Sequence, residues 1–326
     1  DYTGGGCPHI LSEPQRTNIV PYSEDFTQWT DSSLTVADDE AISPDGTQNA
    51  DKVTASLGGS IYLNFTCTAS TDYTFSFYVK DIDFVNNALA IYDNTNLAFI
   101  DSDVSYTPTS EWSRITHSFT TPVGCISLRV YPQRKSNGVN SKYIWGAQVE
   151  EAYATSYIPT SGSTVTRVKD QYEKTGISDL INSEEGTFFV EMAAFISLDT
   201  LNRSISLSDG STSNRIMIQF PNALNKITGY MSIGGSHGVF DEDTTSSTTT
   251  NFNKIAIKWK AGTNETALWV NGSPIATDTV TMAGAGTFNQ IVFTNGASSS
   301  PLYAKAKQIQ IYKTALTDPE LVTLTT

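Results

Sequence analysis

Alternation of apolar and polar residues with a period of two runs through the first half of this chain, and it restricts the fold more tightly than any other property of the sequence. Tyr73, Phe75, Phe77 and Val79 fall on one side of an extended segment, while Thr74, Ser76, Tyr78 and Lys80 fall on the other. Ile61, Leu63 and Phe65 alternate with Tyr62, Asn64 and Thr66, and Ile126, Leu128 and Val130 with Ser127, Arg129 and Tyr131. Successive side chains leave a strand on opposite faces, so each segment predicts a strand with one buried face. Ser43-Pro-Asp-Gly, Asp93-Asn-Thr-Asn, Thr107-Pro-Thr-Ser and Ser136-Asn-Gly supply turn residues around them. No amphipathic helix of appreciable length is legible before residue 160, so the expected class is all-β.

Only 17% of the 326 residues are charged, while Ser, Thr, Asn, Gly and Tyr are abundant, as suits short strands joined by polar turns. The formal net charge of −14 argues against a nucleic-acid partner, because phosphate binding needs clustered Lys and Arg. Residues 1–165 hold 8 basic and 19 acidic side chains, and residues 166–326 hold 12 and 15. Solubility is the plain reading of that acidity, and a cation site the sharper one. No apolar run approaches the ~18 residues of a membrane span, so membrane insertion is not expected. Cys7, Cys67 and Cys125 lack metal-ligand spacing; a Cys67–Cys125 bridge and buried free thiols both fit. The chain starts at Asp1 with no charged-then-apolar leader, and an upstream portion is expected.

The small polar stretch 159–167 interrupts the alternation and divides the chain into an extended lead-in (1–14), a first domain (15–165) and a second (166–326). In the second, a short helical turn is expected near Ile177 to Asn182 and a central strand near Gly186 to Met192. Asn251 to Trp259 and Thr266 to Gly272 form a hairpin, closed by Lys307 to Tyr312. Thr317, with Glu320 three residues on, marks the start of a short cap helix.

Two phrases of the first domain, Asn18 to Trp29 and Tyr143 to Glu150 followed by Tyr157-Ile-Pro-Thr, resemble the opening and closing strands of jelly-roll carbohydrate-binding modules. The version they resemble is the one repeated in fibre proteins of phages and phage-like particles. The strand ending at Trp259, the Val-Asn-Gly at 270–272 and the closing Ala315-Leu-Thr-Asp-Pro-Glu resemble laminin-G and concanavalin A-like sandwiches. The resemblance implies two tandem antiparallel β-sandwiches on a virion surface, in a trimer beside other virion proteins, facing cell-surface or extracellular polysaccharide. It also implies a structural Ca²⁺ between the opening segment and the last strand, with Glu24, Asp25, Gln148 and Glu150 as oxygen ligands.

Catalytic patterns of the concanavalin-like enzymes are missing from the sequence. No Glu-x-Asp-x-x-Glu places two carboxylates on one strand, and no Gln-x-His strand occurs. Asp241-Glu-Asp reads as a solvated turn, His117 as strand surface and His237 as part of a glycine-rich loop, so the expectation is a non-enzyme. Sugar recognition instead needs flat aromatic faces and planar polar groups. Tyr62, Tyr78, Arg129 and Tyr131 point away from the first core by their parity, and Trp269 opposes Leu268 and Val270 in the second domain. These five are the carbohydrate-binding candidates; cross-strand aromatic pairing on a solvated face is the plain alternative. Trp29, Trp145 and Trp259 read as core. Modules appended to a secreted polysaccharide-degrading enzyme, or a purely structural capsid or fibre decoration domain, are the other readings.

Overall fold

In the computed structural model, which describes residues 8–83, 86–197, 200–243, 248–262 and 264–326, the chain forms two compact units. One is Gln15–Val168; the other is Lys169–Thr326 completed by the segment that ends at Pro14. Cys7 lies outside the described residues. Chain order begins with β1 (Ile10–Ser12), which belongs to the second unit. The first unit then runs β2 (Arg16–Asn18), β3 (Thr30–Ile42), β4 (Gln48–Thr66), β5 (Asp72–Asp81), β6 (Ala88–Asp93), β7 (Ala98–Ser105), β8 (Ser113–Thr120), β9 (Ser127–Gln133), β10 (Asn140–Glu151) and β11 (Val165–Arg167). Strand order is β7-β6-β9-β4-β10-β5-β8, with β3 beside β4 and a separate β2–β11 pair, all antiparallel.

β4 is 19 residues long and serves both layers of this jelly roll: Asp51–Ala55 pair with β10, Ile61–Thr66 with β9. It passes between them at Gly58 and Gly59, where a Cβ on Gly59 would lie 2.6 Å from the Ser33 carbonyl oxygen. Phe75, Phe77 and Val79 of β5 pack with Leu128 and Val130 of β9 and Ile144 and Val149 of β10, so the alternation marks the buried faces as expected. Ile126 departs from it: it precedes β9 and is 63% exposed.

Trp145 departs for a different reason. It lies opposite Tyr78, whereas Gln148 lies opposite Ser76, so β10 carries one residue more than β5 across this interval. The extra residue is a bulge at Gly146, whose φ is +66°. Parity therefore changes, and Trp145 does not share a face with Ala147 and Val149 despite the unbroken alternation of the sequence. It is buried instead between Tyr78 and Tyr157, ring centroids 5.4 and 4.3 Å away. The first unit also continues past residue 165, because Val165–Arg167 pair with Arg16–Asn18.

The second unit adds β12 (Glu173–Thr175), β13 (Glu185–Ala194), β14 (Arg203–Ser208), β15 (Arg215–Phe220), β16 (Lys226–Ile233), β17 (Ser236–Asp243), β18 (Asn253–Lys260), β19 (Thr266–Val270), β20 (Ser273–Asp278), β21 (Gln290–Val292), β22 (Ala304–Tyr312) and α1 (Asp318–Thr325). Two antiparallel sheets, β1-β22-β13-β18-β19-β20 and β12-β21-β14-β15-β16-β17, enclose Phe188, Val190, Ile205, Ile218, Ile257 and Trp259. The expected β18–β19 hairpin and the turn at Ser178–Leu180 are present, and Thr317 and Glu320 make a reciprocal capping box at α1.

Residues 10–12 are not a free lead-in. Ile10, Leu11 and Ser12 pair with Ala306, Lys305 and Ala304, covering what would be the bare edge of β22. Three residues are too few for a period of two to show. Asp241 to Asp243 form the end of β17 and not a turn, and His237 lies within that strand. Among the described residues no helix is long and apolar enough to cross a membrane.

Candidate functional site

Because Leu128 and Val130 of β9 point into the core, Arg129 and Tyr131 emerge on the opposite face, and strand register decides what lies beside them. Arg129 stands opposite Asn64 of β4 on one side and Tyr92 of β6 on the other, and Tyr92 stands opposite Phe99 of β7. The β6–β7 hairpin is set by Asp93, whose carboxylate accepts from the backbone amides of Thr95 at 2.8 Å and Asn96 at 3.0 Å. Burial alone would raise the Asp93 carboxyl, but these hydrogen bonds outweigh it and hold it below the usual range.

The resulting face is aromatic with a guanidinium at its centre. Arg129 lies over the Tyr62 ring at 4.2 Å and near that of Tyr92 at 5.4 Å. Its Nε donates to Asn64 Oδ1 at 2.7 Å and its Nη1 to the Tyr131 hydroxyl at 3.2 Å, which fixes the plane of the group. Tyr62 and Tyr131 approach to 5.1 Å between centroids, and Tyr92 and Phe99 to 4.8 Å. Arg134 lies 4.2 Å above Phe99 and pairs with Asp103. Phe99 is 40% exposed, Tyr62 and Tyr92 are partly so, and Tyr131 forms the floor. Such a face offers π surfaces and fixed planar donors together, the combination that holds a pyranose by its apolar side and its hydroxyls.

Of the sequence-stated candidates, Tyr62, Arg129 and Tyr131 are brought together here, and Tyr92, Phe99 and Arg134 join them unforeseen. Tyr78 is elsewhere: its ring packs on Trp145 with the Arg114 guanidinium 5.6 Å above it. Trp269 is not exposed, because Leu321 of α1, with Phe189, Ala256 and Ala267, covers it. Alternation tells which face a residue is on, not whether a later helix lies over that face.

Gln148 and Glu150, the calcium ligands expected on β10, are engaged with the chain itself. Both are fully buried, and the 155–158 segment uses their oxygens: Thr155 donates to Glu150 through its amide at 2.9 Å and through its hydroxyl, and the Ile158 amide donates to Gln148 Oε1 at 2.6 Å. Gln148 Nε2 also donates to Glu150. Glu24 accepts from the Tyr157 hydroxyl at 2.9 Å, and Asp25 caps a 3-10 turn at Phe26–Gln28. Among the described residues one group of three carboxylates, Asp25, Asp38 and Asp51, brings an oxygen of each within 4.8 Å of the others. Burial pushes the Asp51 carboxyl up to about 7 against the amides of Phe26 and Asp39 that donate to it, and the neighbouring Asp38 raises it further.

Cys67 and Cys125 are free thiols with sulfurs 3.6 Å apart, and burial pushes Cys125 up to about 12. His117 meets Asp101 at 2.9 Å, and His237 bonds the Tyr230 hydroxyl. The second unit has a cleft of about 450 Å³ lined by Asp170, Tyr172, Gln290, Phe293 and Ser298.

No model of a known protein family matches the sequence, and neither does any curated protein. Solved structures similar to it include carbohydrate-binding domains. A Ruminococcus gnavus IT-sialidase CBM40 bound to α2,3-sialyllactose is 17% identical over 48% of this chain and 97% of its own, with a TM-score of 0.39. A carbohydrate-binding protein from Bacteroides ovatus, so described provisionally, is 12% identical over 81% and 78%, with a TM-score of 0.36. A tandem CBM22 domain from Paenibacillus barcinonensis is 10% identical over 97% and 100%, with a TM-score of 0.32.

Proposed function

We propose that this chain is a non-catalytic glycan-recognition protein, and that the face around Arg129 is where the sugar binds. The observation that carries the reading is the joining of four aromatic rings, Tyr62, Tyr92, Phe99 and Tyr131, to a guanidinium oriented by two hydrogen bonds on one outer face. Sugar stacks on the rings, and Arg129 and Asn64 contact its hydroxyls. The resemblance of residues 18–29 and 143–160 to fibre modules supports placing the chain on a virion surface, as a trimer beside other virion proteins. Adhesion is then multivalent, each site weak and the particle held by many.

Phe99→Ala and Tyr92→Ala test the site, since both side chains reach solvent and contribute little to the core. Each is expected to weaken binding of the full chain to its best ligand on a glycan array by about tenfold or more, the scale of an interface hot spot, with little change in melting temperature. A chain that binds no glycan, or binds equally well without either ring, ends this reading.

The structural calcium belongs to the same proposal, with Asp25, Asp38 and Asp51 in place of Gln148 and Glu150 as its oxygen set. A cation that binds the folded state alone stabilises it by mass action. EDTA is therefore expected to lower the melting temperature and added calcium to restore it, and Asp38→Asn, at an exposed position, to abolish the response. Melting curves indifferent to both additions would leave the three as ordinary carboxylates.

A further inference from the structure

The charge around the aromatic face is out of keeping with the unit that bears it. Residues 15–168 contain nine basic and seventeen acidic side chains, yet three of the nine, Arg129, Arg134 and Lys135, gather at this face. One carboxylate answers two of them: Asp103 pairs with Arg134 and lies 3.5 Å from Lys135. Arg129 has no carboxylate partner among the described residues; its Nε and Nη1 are held by the neutral Asn64 and Tyr131, and Nη2 remains for a ligand. A guanidinium fixed in plane, unneutralised and walled by the rings of Tyr62 and Tyr92, is arranged to take an anion by charge-assisted hydrogen bonds. The surrounding negative charge repels polyanions elsewhere on the unit, so attraction is confined to this face.

We infer that the sugar recognised here is anionic, carrying a carboxylate or a sulfate ester that Arg129 binds while the aromatic rings hold the pyranose. The inference rests on the glycan-binding reading and adds the ligand's charge to it. Neutral sugars would leave the guanidinium without the partner its setting lacks.

Matched polysaccharides test it on the full chain: polygalacturonate against its methyl ester for the carboxylate, dextran sulfate against dextran for the ester. The charged member of at least one pair is expected to bind about tenfold or more tightly than its neutral counterpart, with the preference shrinking as salt is raised. Which pair shows the preference names the anion. Arg129→Gln is expected to equalise the pair by weakening the charged member about tenfold more than the neutral one, and Arg129→Lys, which keeps the charge without the planar fork, to retain part of the preference. Equal binding of charged and neutral members by the unsubstituted protein overturns the inference and leaves glycan binding standing. An intact preference in a folded Arg129→Gln protein overturns it by placing the anion elsewhere. Failure of every polysaccharide, a wider glycan array included, removes the glycan reading and this inference with it. The first comparison needs no variant, so a poorly folding substitution does not decide the matter.

Discussion

Alanine at Trp259 is expected to destabilise the second unit by about 3–5 kcal/mol, the range for truncating a buried aromatic side chain. Trp259 is fully buried between the sheets, and its indole nitrogen donates to the Asn182 carbonyl at 3.1 Å, so removal leaves both a cavity and an unpaired acceptor. That is a large part of the ~5–15 kcal/mol that separates folded from unfolded domains. Gly186 supplies an internal check. A Cβ there would come within 2.3 Å of the Trp259 ring and 2.7 Å of the Tyr312 carbonyl oxygen, so Gly186→Ala is expected to be damaging alone and, with the backbone contact left in place, partly relieved when combined with Trp259→Ala. Hydrogen exchange read separately in β13 and β18 and in β5 and β10 follows each unit without assuming one transition. A loss under about 1 kcal/mol, or additive effects of the two substitutions, would show that Trp259 is not packed as described.

Glu150→Ala is expected to cost the first unit about 3 kcal/mol, because the Thr155 amide, the Thr155 hydroxyl and the Gln148 amide all lose their buried acceptor. The loss should be the same in calcium and in EDTA, as measured by chemical denaturation. Destabilisation present only with calcium would return Glu150 to the role of metal ligand.

Faces of strands were legible wherever the period of two ran unbroken. Phe75 and Phe77 in the first unit and Ile255, Ile257 and Trp259 in the second are buried as their parity requires. Trp145 shows where parity fails: a bulge adds a residue without disturbing the pattern, and its one trace is a glycine inside a strand. The candidate face was only half legible for a related reason. Arg129 and Tyr131 lie two apart on one strand, but Asn64 is 65 residues from Arg129, and nothing local fixes which strands become neighbours. Tyr92 and Phe99 had a signal, since Asp93-Asn-Thr-Asn is a hairpin turn that brings the flanking segments together. Trp269 and residues 10–12 depended on what covers a face or an edge, a tertiary choice that sequence periodicity does not encode.

The pairing of β1 with β22 makes the second unit discontinuous in sequence, with the first unit inserted as a cassette between its opening edge strand and the rest. A single cut near residue 166 therefore does not liberate two complete domains: the downstream piece starts without β1 and bears a bare β22 edge open to another chain. Recombination that exchanged the first unit would respect the junctions at 14/15 and 168/169, replacing everything between them while the second unit keeps all its strands.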